Sequence, residues 1–145
     1  MISGIQCETD TAKAHTLDAE FMVEMEIFGL TTSTRTASAY ALILIEAGGS
    51  RRLPIIIGAY EAQAIALEME QIKPPRPMTH DLTMQIITDL GGQIEHVVVH
   101  HLKEGTYYAN ISIKGPISHH EVDARPSDAI ALAVRFSCPI YVDEL

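Results

Sequence analysis

The chain has 145 residues, 47% of them apolar and 20% charged, with 10 Lys and Arg against 19 Asp and Glu for a net charge of −9. These totals suit one soluble globular domain with a single core. No apolar run approaches the ~20 residues of a bilayer-spanning helix, and the acidic balance argues against nucleic-acid contact through a general basic surplus.

Only Cys7 and Cys138 are present, far apart, with no Cys-x-x-Cys pair and no Cys/His cluster at zinc spacing. The N-terminal stretch lacks a basic start followed by an apolar block, so it does not read as a secretory signal. Reduced thiols and a cytoplasmic location are expected.

Residues 1 to 18 are polar, show no period and read as a flexible lead-in, which leaves 19 to 145 for the domain. Phe21, Val23, Met25 and Ile27 then alternate with Met22, Glu24, Glu26 and Phe28 at the period of a strand. Gly29 to Ser38 reads as a turn region. A second strand follows at 39 to 47, AYALILIEA, apolar on both faces, and Gly48-Gly49-Ser50 turns it back into RRLPIIIG at 51 to 58. If that two-faced strand lies at a sheet edge it needs a cover, so a homo-oligomer, most simply a two-fold dimer, is expected.

Helical spacing begins at Ala59. Ala62, Ile65, Ala66, Met69 and Ile72 share a face opposite Glu61, Glu68 and Gln71. Lys73-Pro74-Pro75-Arg76-Pro77 stops that helix, because proline removes donors and restricts the residue before it. Thr79 reads as the cap of a second helix bearing Leu82, Ile86 and Leu90 and ended by Gly91-Gly92. QIEHVVVHHL (93 to 102) and TYYANISIK (106 to 114) form a hairpin through Lys103-Glu104-Gly105. An extended piece at Glu121 to Asp123 leads to Ser127, read as the cap of AIALAVRF, which is apolar nearly all round and therefore central. PIYV (139 to 142) closes as a strand. The order β-β-β-α-α-β-β-(β)-α-β predicts an α+β domain with a mixed, mostly antiparallel sheet and three helices.

The seven histidines do not form a metal pattern. Period two places His96 and His100 on one face with Ile94, Val98 and Leu102, and His101 on the other. Those two histidines stand roughly 13 Å apart along a strand rising ~3.3 Å per residue, too far to share an ion held by bonds of ~2.1 Å. His119-His120 reads as plain loop surface. No Gly-x-Ser-x-Gly elbow, P-loop or dinucleotide fingerprint is present, and neither cysteine has a basic sequence neighbour to activate it.

Chemistry points instead to two similar segments, PRPMTHDL (75 to 82) and DARPSDAIAL (123 to 132). Each carries an Arg-Pro pair, a hydroxyl residue and an aspartate at the door of a helix. A helix N-terminus attracts anions, and a nearby arginine reinforces it by gripping phosphate bidentately. If the two doors face each other, one cleft gathers Arg76, Arg125, His80, Asp81, Asp128, Asp123 and Glu61. Carboxylates with arginines and a histidine are the parts of divalent-metal phosphodiester hydrolysis. The same aspartates also neutralise helix dipoles, and the same arginines pair with them, in a purely structural cap.

GAYEAQAI (58 to 65), PRPMTHDL, TYYA (106 to 109), DARPSDAIALA (123 to 133) and the closing PIYV together resemble the bifunctional nuclease domain family, from about Phe21 to Val142. The resemblance implies a compact α+β fold and, since plant members are credited with degrading both RNA and DNA, a nuclease with little sequence preference. The resemblance supplies the activity and the door chemistry the roles: in a shared cleft His80, Asp81 and Asp128 act in catalysis, Arg76 and Arg125 hold substrate phosphate, and Glu61, Asp81, Asp123 and Asp128 hold Mg²⁺ or Mn²⁺. The alternative is a non-enzymatic module that binds a small anion or a protein partner, which the acidic balance and the lack of aromatics beside basic residues in sequence suit better. Clustered carboxylates with room for a metal favour the first reading, and Arg–Asp pairs sealed in the core favour the second.

Overall fold

The computed structural model describes residues 21 to 33 and 38 to 144. The lead-in expected over 1 to 18 lies outside them. The elements follow the expected order: β1 Met22–Thr32, β2 Ala39–Glu46, β3 Arg52–Gly58, α1 Ala59–Met69, α2 Thr79–Asp89, β4 Gln93–Lys103, β5 Thr106–Lys114, β6 His119–Ala124, α3 Pro126–Phe136 and β7 Ile140–Asp143. All seven strands join one sheet in the order β3-β2-β1-β7-β4-β5-β6. Two antiparallel meanders, β1 to β3 and β4 to β6, are bridged by the short β7, antiparallel to β1 and parallel to β4. The domain is α+β with a mixed sheet.

Local chemistry explains the turns. Glu104 and Gly105 have φ of 52° and 79° and form a two-residue loop between the paired Lys103 and Thr106, the mirror-image turn whose twist matches a hairpin. α1 and α2 end alike. Gln71 (φ 55°) and Gly91 (φ 82°) take the left-handed conformation. The next amides, of Ile72 and Gly92, reach back to the carbonyls of Leu67 and Ile87. α1 therefore stops at Met69, before the proline run that was expected to stop it, and Ile72 lies beyond the helix, half exposed.

Alternation along the strands carries the core to one face. Leu42, Leu44, Val97, Val99, Ile111 and Ile140 pack there with Ile65 of α1 and Ala129 to Ala133 of α3. Ala129, Ile130, Ala131 and Ala133 are fully buried, and the small alanines bring α3 close to the sheet, as its apolar sequence requires. By contrast, α2 has no buried residue.

Four expectations change. β1 runs on through Gly29 to Thr32, because a bulge at Phe28 absorbs one residue and returns Leu30 to the core face. β2 is not an edge: it lies between β1 and β3, which removes the reason given for an oligomer. A bulge at Glu95 moves Ile94 to the core face with Val97 and Val99, away from His96 and His100. His96 meets Tyr141 edge-on at 5.8 Å, and His100 stacks with Tyr108 at 6.4 Å between ring centres. His119 and His120 belong to β6 rather than a loop, with His119 3.3 Å from Glu95. Among the described residues no helix is long and apolar enough to cross a membrane.

Candidate functional site

Each door segment feeds a helix and then a strand: α2 leads to β4 and α3 to β7, and those strands are parallel neighbours. The two helices thus start at the same end of the sheet, and the doors touch. His80 Nε2 lies 2.9 Å from Asp128 Oδ1. Arg125 donates from Nε to Asp128 Oδ2 and from Nη2 to Glu61 Oε1, both at 2.8 Å. One chain of polar contacts, His80–Asp128–Arg125–Glu61, therefore ties the starts of all three helices. The Arg125 side chain is 67% exposed, whereas Glu61 and His80 retain only 16% and 12%.

A second contact lies deeper. Arg135, in the last turn of α3 and 3% exposed, donates from Nε to Asp81 Oδ1 at 2.8 Å. Its Nη1 and Nη2 donate to the carbonyls of Ala131 and Ala64. The Met78 amide donates to Asp81 Oδ2 at 3.0 Å, so Asp81 closes half of a capping box onto the residue that precedes the helix. The caps are Met78 and Arg125, with no side-chain cap bond at either. Thr79 and Ser127 are one residue and two residues inside their helices, because Pro126 occupies the first turn of α3 and the Asp81 carboxylate already serves the N-terminus of α2.

Both aspartates lie below the usual carboxylate range. Partial burial pushes Asp81 up, but hydrogen bonds from Arg135 and the Met78 amide, with the Arg135 charge, outweigh it. Burial likewise acts against Asp128, and hydrogen bonds from Arg125 and His80 prevail. Asp128 and Glu61 in turn hold the Arg125 guanidinium firmly protonated.

The remaining candidates stand apart. Arg76 is exposed and makes no hydrogen bond or ion pair among the described residues. Asp123, opposite Asn110 on β6, does not join the polar chain but lines a shallow depression of about 490 Å³ with Thr106, Tyr107, Tyr108, Arg125 and Asp128. Folding thereby places aromatics beside a basic residue, which the linear sequence had not shown. Tyr108 is 40% exposed there. Glu61, Asp81, Asp123 and Asp128 do not converge on one point. Among the described residues no three His, Cys, Asp or Glu side chains are placed to hold a metal. Three of these four carboxylates are already engaged by guanidinium or imidazole groups, so as arranged they do not fit an ion.

Arg135 is the residue that sequence reasoning missed. Its signal was a lone cation inside the apolar run AIALAVRF, a position that demands a buried carboxylate partner.

The family model for the bifunctional nuclease domain matches residues 42 to 145. The chain is 50% identical over 103 residues to an uncharacterized protein of Mycobacterium tuberculosis, covering 71% of this chain and 61% of that one. It is 29% identical over 106 residues to bifunctional nuclease 2 of Oryza sativa subsp. japonica, covering 70% of this chain and 33% of the rice protein. Against bifunctional nuclease 1 of Oryza sativa subsp. indica the identity is 26% over 112 residues, with 74% and 34% covered. The chain thus spans about three fifths of the mycobacterial relative and one third of the rice proteins. With the domain model matched over most of its length, the chain belongs to the bifunctional nuclease domain family.

Proposed function

We propose that the chain hydrolyses phosphodiester bonds of RNA and DNA with little sequence preference, working in the cytoplasm from the surface where Arg125, His80 and Asp128 meet. The observation that carries this reading is the polar chain itself: an exposed guanidinium and an imidazole share one carboxylate beside a depression edged by Tyr107 and Tyr108. Arg125 spends Nε and Nη2 on Asp128 and Glu61, leaving Nη1 for a phosphate oxygen and for the charge that builds in the transition state. Asp128 orients the His80 ring through its contact with Nε2. His80 accepts a proton from the attacking water as its oxygen bonds to phosphorus. It returns that proton to the leaving oxygen as the second P–O bond breaks. A base stacks on Tyr108, which tolerates any sequence.

Since the carboxylates as arranged do not fit an ion, no step is routed through Mg²⁺ or Mn²⁺, and the assay includes them as a separate arm. Asp81, neutralised by a sealed arginine, holds α2 in place in this reading and Arg76 stays outside the reacting centre. That sealed pair also favours the second reading, a non-enzymatic anion-binding or protein-interaction module. The test is cleavage of single-stranded RNA and DNA by highly purified protein with Mg²⁺, with Mn²⁺ or with EDTA. Arg125→Ala and His80→Asn variants, checked for folding by circular dichroism, run beside it. Cleavage that persists in EDTA and falls about 100-fold in both folded variants supports the site. Equal activity in the variants moves the chemistry elsewhere, and absence of cleavage with salt-sensitive binding moves the function to the module.

A further inference from the structure

Of the four carboxylates that the sequence offers, three are taken, Glu61 and Asp128 by Arg125 and Asp81 by Arg135. Asp123 is exposed and makes no hydrogen bond or ion pair among the described residues. It nevertheless lines the depression that holds Arg125 and Tyr108. A free carboxylate beside a phosphate seat repels a nucleic-acid backbone. Binding there depends on a donor of the same nucleotide that offsets the repulsion.

Strand pairing fixes where Asp123 stands. Asn110 lies opposite it, and Ala109 opposite Ala124. Arg125 keeps extended backbone, so Tyr108 and Arg125 stand one step further along β5 and β6. Period two puts Tyr108, Asn110, Asp123 and Arg125 on one side of the two strands. Asp123 is roughly 7 Å along the strand from Arg125 and roughly 7 Å diagonally from Tyr108. With phosphate on Arg125 and a base on Tyr108, the sugar that joins them lies within reach of Asp123. The far side of Arg125 differs. Thr106, Tyr107 and Arg125 also wall a second depression of about 360 Å³, with Pro54, Ile56 and Pro126, and none of its lining residues is acidic. Arg125 thus stands between two depressions, as a phosphate inside a strand requires, and the sugar on one side alone meets a carboxylate.

We infer that Asp123 accepts a hydrogen bond from a ribose 2′-hydroxyl and makes the site act on RNA faster than on DNA. The inference rests on the hydrolysis proposed at Arg125, and Asp123 acts in it as a specificity residue that moves no proton. A carboxylate is an acceptor only, and the 2′-hydroxyl is the donor that RNA has and DNA lacks. With RNA, a charge-assisted bond offsets the repulsion of the phosphates. With DNA the repulsion stays, and the carboxylate loses water without gaining a partner. Sugar is read rather than base, so sequence preference stays low.

The test compares single-stranded RNA, DNA and 2′-fluoro RNA of one sequence, each with wild type and with Asp123→Ala. Cleavage is read as kcat/KM. Binding is read by fluorescence anisotropy with His80→Asn protein, with and without Asp123→Ala. Wild type is expected to cleave RNA about tenfold faster than DNA. The 2′-fluoro strand falls beside DNA, because fluorine donates no hydrogen bond. Asp123→Ala brings the RNA-to-DNA ratio within about twofold, whereas a merely structural loss would slow both alike. Equal wild-type rates on RNA and DNA overturn the inference. So does a ratio that survives Asp123→Ala, a 2′-fluoro strand cleaved like RNA, or a preference that follows the base. RNA-selective binding that Asp123→Ala abolishes, without any cleavage, would sink the hydrolysis and leave the sugar contact standing.

Discussion

Replacing Arg135 by Met tests whether α2 is held by a buried ion pair. The substitution nearly conserves volume, so its cost is electrostatic rather than a cavity. It strips the Asp81 carboxylate of its Nε donor at 2.8 Å and leaves only the Met78 amide. Removing one partner of a buried pair costs ~3–5 kcal/mol. The Asp81 side chain is 30% exposed, so water screens part of the stranded charge, and the expected loss is about 2–3 kcal/mol. For a chain of this size that lowers the melting temperature by about 5–10 °C. The carbonyls of Ala131 and Ala64 lose a second donor each but belong to helices that satisfy them otherwise. Urea denaturation followed by circular dichroism at pH 7 reads the loss directly. The partner variant Asp81→Asn and the double variant complete a cycle, in which the coupling is about 1–2 kcal/mol because the pair is lost only once. Arg135→Met within about 0.5 kcal/mol of wild type would refute the reasoning. It would mean that α2 is held by something other than this pair.

Acid should act through the same groups. Asp81 and Asp128 have folded-state values below the ordinary carboxylate pKa of ~3.9. Their stabilisation is complete above that pH and is lost as the pH falls through the lower folded values. Stability measured from pH 7 downward is therefore expected to hold to about pH 4 and then decline, and the deficit of Arg135→Met to narrow over the same window. At Cys138, burial pushes the thiol up to about 11, so a Cys7→Ser protein is expected to resist thiol reagents at pH 8 when folded and to react within seconds in urea. Rapid native labelling would contradict that burial.

The order of elements and the central place of α3 were legible in the sequence because they rest on local periodicity and turn chemistry. Alternation in β1, the glycines after α2 and the apolar run of α3 each act within a few residues. The two door segments were legible for the same reason, but their meeting was only a condition in the sequence, met because β4 and β7 pair in parallel. What the tertiary structure decided was the pairing of long-range partners. Bulges at Phe28 and Glu95 reset which residues face the core, and a one-residue shift of that kind leaves no mark on composition. Asp81 found Arg135 at a separation of 54 residues, and Asp128 found His80 at 48. Arg76, alike in sequence to Arg125, found no partner among the described residues, while Tyr108 arrived beside Arg125 because β5 pairs with β6, Ala109 opposite Ala124. Hydrophobic pattern specifies a face, but an ion pair depends on where two separate elements come to rest.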